Sequence, residues 1–154
     1  MKKCLALAVI FGLVLGFAGT VKAGDSNTLT VSAVVSGTCK FSSGSSSLDF
    51  GALDPASGSD VTASTTTNFW CTKGVTTDVI TPGQGLHWSG SVRQMSEPNG
   101  EVIPYGLVLT PDGNTNQGPT LPRTLTISGT VLGADYLSKR AGNYSDTVTL
   151  TIIP

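Results

Sequence analysis

The chain has 154 residues, of which 39% are hydrophobic and only 12% charged, with nine basic side chains against ten acidic ones. Average soluble domains carry about 25% charge, so coiled coils and long solvent-laced helices are excluded. The balanced charge leaves no positive field to attract nucleic acid, and the length fits a single domain.

Residues 1–23 read as a secretory signal peptide. Lys2 and Lys3 give a positive start, Leu5 to Ala18 is an uninterrupted apolar stretch, and Val21-Lys22-Ala23 ends it with small residues at the positions a signal peptidase reads. A spanning helix needs about 20 apolar residues, and Lys22 cuts this run short, which favours cleavage over a membrane anchor. Cys4 precedes the apolar run, where a lipid-attachment cysteine would not stand. The processed chain, Gly24 to Pro154, has six basic and ten acidic side chains and two cysteines, Cys39 and Cys71. An even count in a secreted chain points to a disulfide, with two buried free thiols as the alternative.

From Gly24 onward the pattern is all-β. Ser and Thr make up 37 of the 131 residues, and no window shows apolar residues at helical spacing. Leu29, Val31, Ala33 and Val35 alternate within Asn27 to Ser36 and predict an amphipathic strand. Further strands are predicted at Leu48 to Phe50, Thr66 to Cys71, Val75 to Ile80, Val92 to Met95, Val102 to Leu109 and Thr124 to Leu132. Near the C-terminus Tyr144, Val148, Leu150 and Ile152 share one face, with Thr147, Thr149 and Thr151 opposite. Turn chemistry separates these runs at Ser42–Ser47, Pro55–Ser59, Pro82–Gly85, Pro98–Gly100 and Pro111–Gly113. The Ser/Thr-rich stretch from Ser57 to Thr67 reads as a long surface connection. Seven or eight short strands so spaced predict a two-sheet sandwich.

Two features of this pattern are unusual. No turn signal ties the first strand back to the next, since Thr28 to Val35 runs straight into Gly37-Thr38-Cys39. At the other end the sequence stops inside its best strand, at Ile152-Ile153-Pro154. A surplus strand at one end and a missing neighbour at the other point to strand exchange between chains, because an unpaired edge is a liability.

Chemistry finds little support. His87 is the lone histidine, and a blue-copper set with Cys71 and Met95 lacks the second histidine it needs. It reads as a loop residue beside Trp88. No Gly-x-Ser-x-Gly elbow accompanies it, and Asp49, Asp54 and Asp60 read as turn and strand-end residues, so no enzyme and no cofactor are expected. Trp70, ahead of Cys71 in a strand, is expected in core or groove packing. Trp88, in a Gly/Ser-rich loop, is the candidate for an exposed contact.

The residues also carry a family likeness. Cys39 after the alternating strand, Leu48-Asp49-Phe50-Gly51, Cys71-Thr72-Lys73-Gly74, Arg93-Gln94-Met95, Pro104-Tyr105 and Ala141 to Val148 stand in an ordered set over nearly all of residues 27–153. This set resembles the spore coat protein U domain family, which includes pilin subunits of archaic chaperone–usher pili. Gly106 after Tyr105, and Gln117-Gly118 in place of a tryptophan-glycine pair, depart from the family pattern.

The resemblance implies an incomplete immunoglobulin-like sandwich over residues 37–154, completed by a donor strand from another chain. Residues 24–36 would be the donor extension, with Leu29, Val31, Ala33 and Val35 entering the groove of a neighbouring subunit. Groove walls would come from Val148, Leu150 and Ile152 and from the strand leaving Cys39. A periplasmic chaperone and an outer-membrane usher are the implied partners besides other subunits. The destination would be a cell-surface pilus serving adhesion or biofilm formation. A spore or cell-coat protein and a lectin-like adhesin are the alternatives.

Overall fold

The computed structural model describes residues 24–76 and 79–154; the expected signal peptide lies outside the described residues. The chain divides into two units between Ala33 and Val34. In the first, residues 24–33 form neither strand nor helix, and Leu29 and Val31 are each 83% exposed. The alternating pattern is a strand's, but the ladder is absent, because a strand's hydrogen bonds must come from a second strand.

The second unit is all-β, as expected of an immunoglobulin-like fold. Its strands are β1 (Cys39–Phe41), β2 (Val61–Cys71), β3 (Val79–Pro82), β4 (Arg93–Ser96), β5 (Val102–Pro111), β6 (Arg123–Val131) and β7 (Leu150–Ile153), with a one-turn helix α1 (Gly133–Tyr136) after β6. Five of them form an antiparallel sheet in the order β1-β2-β6-β5-β4, while β3 and β7 pair in a two-stranded ladder. The centre of the large sheet is β6, where Arg123, Leu125, Ile127, Gly129 and Val131 are buried and the intervening hydroxyl residues are half-buried. That strict period of two places one face of the strand inward.

Phe69, Cys71, Leu125 and Ile127 form one buried cluster, and Ile103, Val131 and Tyr136 a second. Tyr136 is kept in the second by its hydroxyl, which donates to the Ser59 carbonyl at 2.6 Å. Asp60 accepts from the Gly133 N–H at 2.8 Å and so joins the start of β2 to the turn after β6. Cys39 and Cys71, opposite each other in the β1–β2 register, are joined by a disulfide across a separation of 32 residues.

Several predicted boundaries move. The supposed surface connection over Ser57–Thr67 is largely strand: β2 starts at Val61 and pairs with β6 from Val61↔Val131 to Phe69↔Arg123. Thr stands on both faces of β2, since Thr65 and Thr67 point inward beside Val61 and Ala63, and the period of two is invisible to a hydrophobicity count. Leu48–Phe50 has no ladder, and of the strand predicted from Val75 residues 75 and 76 are not strand while Val79 and Ile80 are. Trp70 is not in the core. It alternates with buried Phe69 and Cys71, lies on the outer face opposite Lys40, and is half-buried there.

Candidate functional site

The C-terminal segment explains how a groove arises. From Tyr144 to Ile152 every second residue is half-buried, and the residues between are exposed. This is a strand's alternation, but its ladder begins only at Leu150, opposite Pro82. Before that there is a single bridge, Ser96 to Ser145, and Gly83 donates to the Thr149 carbonyl at 2.7 Å. Residues 146–149 keep the alternation but belong to no ladder among the described residues.

The segment after β1 behaves alike. Ser42 still donates to the Asn68 carbonyl at 2.8 Å, continuing the β1–β2 pairing, and the serine run beyond it leaves the sheet. Leu48 and Phe50 then turn inward. Asp49 holds the bend by accepting from the Gly51 N–H at 2.8 Å.

Between these two segments lies a groove of about 590 Å³, with Phe41, Leu107, Ile127 and Tyr105 on its floor and Val148 and Leu150 on its wall. A second hollow of about 550 Å³ shares Leu48, Phe50, Met95 and Tyr144 with it and extends to Leu53, Ile103 and Tyr136. Gly129 lets the near wall descend this far. A Cβ there would stand 2.7 Å from both the Leu48 Cδ2 and the Phe50 Cζ, so those side chains would have to shift. Phe50 in turn meets Tyr105 at 6.3 Å between ring centroids.

Serine and threonine side chains share this lining with the apolar ones, and a buried polar cluster stands among them at Asp146. The Asp146 carboxylate, its side chain only 2% exposed, accepts from the Tyr105 hydroxyl at 2.7 Å and the Leu86 N–H at 2.9 Å. It also accepts from the His87 N–H at 3.3 Å, and the His87 Nδ1 lies 3.2 Å away. Burial by itself would raise the Asp146 pKa, but the bonds from Tyr105 and from backbone N–H groups outweigh it and hold the acid below its ordinary value. Burial, reinforced by the bond to Asp146, pushes the Tyr105 hydroxyl well above the usual tyrosine range. Across the β4–β5 ladder from Tyr105 stands Arg93, which donates to the Gly83 carbonyl at 2.9 and 2.7 Å and to that of Pro82 at 3.3 Å. Its guanidinium also lies 5.4 Å from the Trp88 ring centroid.

The family model for the Spore Coat Protein U domain matches residues 25–151. The chain belongs to the spore coat protein U domain family. Comparison with curated proteins yields no match. The family is one of pilus- and coat-type structural proteins, and the matched span takes in the alternating segment at 29–35 as well as the sandwich.

In this spore coat protein U domain the separate motifs of the sequence converge. Arg93, Met95, Tyr105 and Asp146 come from three distant segments and meet at the groove or directly behind it. Val148 and Leu150 lie on the groove wall. Ile152 packs instead against the Phe69 cluster and pairs with Ile80. Leu29, Val31 and Ala33 belong to the other unit, while Val35, at the start of the second, is 83% exposed.

Trp88 is half-buried against Arg93, and the more exposed apolar residues of its loop are Leu86 and Val92. Cys71, weighed earlier as a metal ligand, has its sulfur bonded to Cys39. Sequence reasoning missed Gly129 and the His87–Asp146 contact. The first has no local signature, and the second joins residues 59 apart in the chain.

Proposed function

We propose that residues 24–154 form a structural pilus subunit that polymerises by donor-strand exchange. Leu29, Val31, Ala33 and Val35 of one copy seat in the groove of the next. A periplasmic chaperone holds the groove until then, and an outer-membrane usher exchanges the strands during export to a surface fibre for attachment or biofilm formation. The observation that carries this reading is the groove itself. It is apolar on its floor, about 590 Å³ in volume, and bounded by residues 146–149, whose backbone lies in no ladder among the described residues.

A strand laid beside 146–149 would satisfy those backbone groups and bury its inward side chains. Each buried Val or Leu is worth roughly 1.5–3 kcal/mol, so the donor set contributes on the order of 5–10 kcal/mol. Ordering the tail offsets much of that, at about 1–2 kcal/mol per residue. Slow release, more than equilibrium depth, then makes a fibre durable. Deleting residues 24–35 tests the assignment: the truncated subunit is expected to bind chaperone and fail to extend a fibre. Normal function of the truncated chain as a folded monomer would favour a coat or lectin role.

A further inference from the structure

The wall at residues 146–149 is held at its ends by backbone bonds, Ser145 with Ser96 and Thr149 with Gly83, and at its start by the Asp146 side chain. The Asp146 carboxylate is bonded from two other elements, by Tyr105 on β5 and by Leu86 and His87 in the β3–β4 loop. Gly85, at φ +89°, brings that loop this close, because a Cβ there would collide with the carboxylate. The Tyr105 hydroxyl and the two backbone N–H groups donate irrespective of mild pH changes. The remaining contact is to an imidazole, the side chain whose charge ordinarily changes between pH 5 and 8. That side chain is 39% exposed, so solvent protons reach it.

We propose that Asp146 is the positioning residue of the groove wall and that His87 is its proton-sensitive partner. Protonation makes the Nδ1–Oδ1 contact a charge-assisted hydrogen bond. It thereby holds residues 146–149 against the loop and slows the escape of a strand seated along them. The proposal rests on the acceptor-groove reading given above.

The charged and titratable groups around the imidazole favour this sign. Asp146 faces it from the wall and Tyr105 stands behind the carboxylate on β5. Arg93 on β4 is the nearby cation, and its guanidinium is already engaged by the Pro82 and Gly83 carbonyls and the Trp88 ring. Asp146 is held below its usual pKa and so stays an acceptor in mild acid. Tyr105, pushed upward by burial and by Asp146, stays a donor in mild base.

The test uses the full chain purified from the periplasm and a fluorescent peptide with the sequence of residues 27–36, released against excess unlabelled peptide. Release at pH 5 is expected to be about threefold or more slower than at pH 8. His87→Gln should release at the wild-type pH 8 rate at both values. His87→Lys, charged throughout, should release slowly at both. Equal wild-type rates at the two pH values would overturn the proposal, as would a His87→Gln variant that keeps the wild-type dependence. Failure of the peptide to bind at any pH would remove the acceptor-groove reading and this proposal with it.

Discussion

The sheet has a closed half and an open half. Around β2 and β6, Phe69, Cys71 and Leu125 are fully buried, and Arg123 lies over the Phe69 ring at 4.9 Å. Along the groove, Phe41, Leu48, Leu107 and Leu150 are only partly buried, although they have the same chemistry and the same inward alternation. The difference is in covering. The closed half has strand neighbours on both sides and a disulfide at its margin, whereas the open half has walls that leave the ladder at Ser43 and at Asp146. An apolar pattern thus sets which way a side chain points, and a neighbouring strand sets how far it is buried.

Substitutions can break that contrast. The largest effect is expected from Phe69→Ala, which should lower unfolding free energy by about 3–5 kcal/mol. Leu107→Ala, on the groove floor, should cost only about 1 kcal/mol in the isolated subunit and show most of its effect as faster loss of a bound donor peptide. Denaturant unfolding with and without peptide measures both. Equal losses at the two sites would erase the distinction.

Cys39→Ser should come next, with about 3–4 kcal/mol lost by the chain-entropy estimate for a loop of this size. Failure of the variant to accumulate in the periplasm, read by immunoblot, is the expected outcome. The groove residues are only partly buried, so they contribute less apolar burial to offset the loss.

The smallest effect concerns the rim of the closed half. Asp112 accepts from the Arg123 Nε at 3.0 Å and from the Thr124 N–H at 2.9 Å. Burial pushes its pKa up, but the bonds from Thr124, Asn114 and Arg123 win and hold it far below the ordinary aspartate value. A folded pKa below the unfolded one gives stability that is present above about pH 4 and is lost as pH falls below it. Asp112→Asn should flatten the acid side of the stability profile while leaving the affinity for donor peptide unchanged.

How legible the molecule is depends on where its signals lie. The alternation at Tyr144–Ile152 and the parity of two cysteines are local facts, and the inward face and the disulfide match them. β2 escaped because threonine, which suits a strand on either face, is indistinguishable from loop composition at Thr65 to Thr67. Of the groove, Val148 and Leu150 were legible as apolar strand residues. Leu48, Phe50, Met95 and Tyr105 were visible as motif positions, with nothing to show that they converge. Gly129 matters through an approach of 2.7 Å from a segment about 80 positions earlier, and only a folded chain reveals it.

The outer face of the closed half is built from opposed hydroxyls and amides: Thr62 against Thr130, Ser64 against Ser128, Thr66 against Thr126 and Asn68 against Thr124. None of these eight side chains ionises, so within this patch, away from Lys40 at its margin, dissolved electrolyte finds little to screen. A flank made this way keeps the same weak, water-bonded character in fresh water and in brine, and its dealings with neighbouring objects turn on hydration and fit instead of on ionic strength.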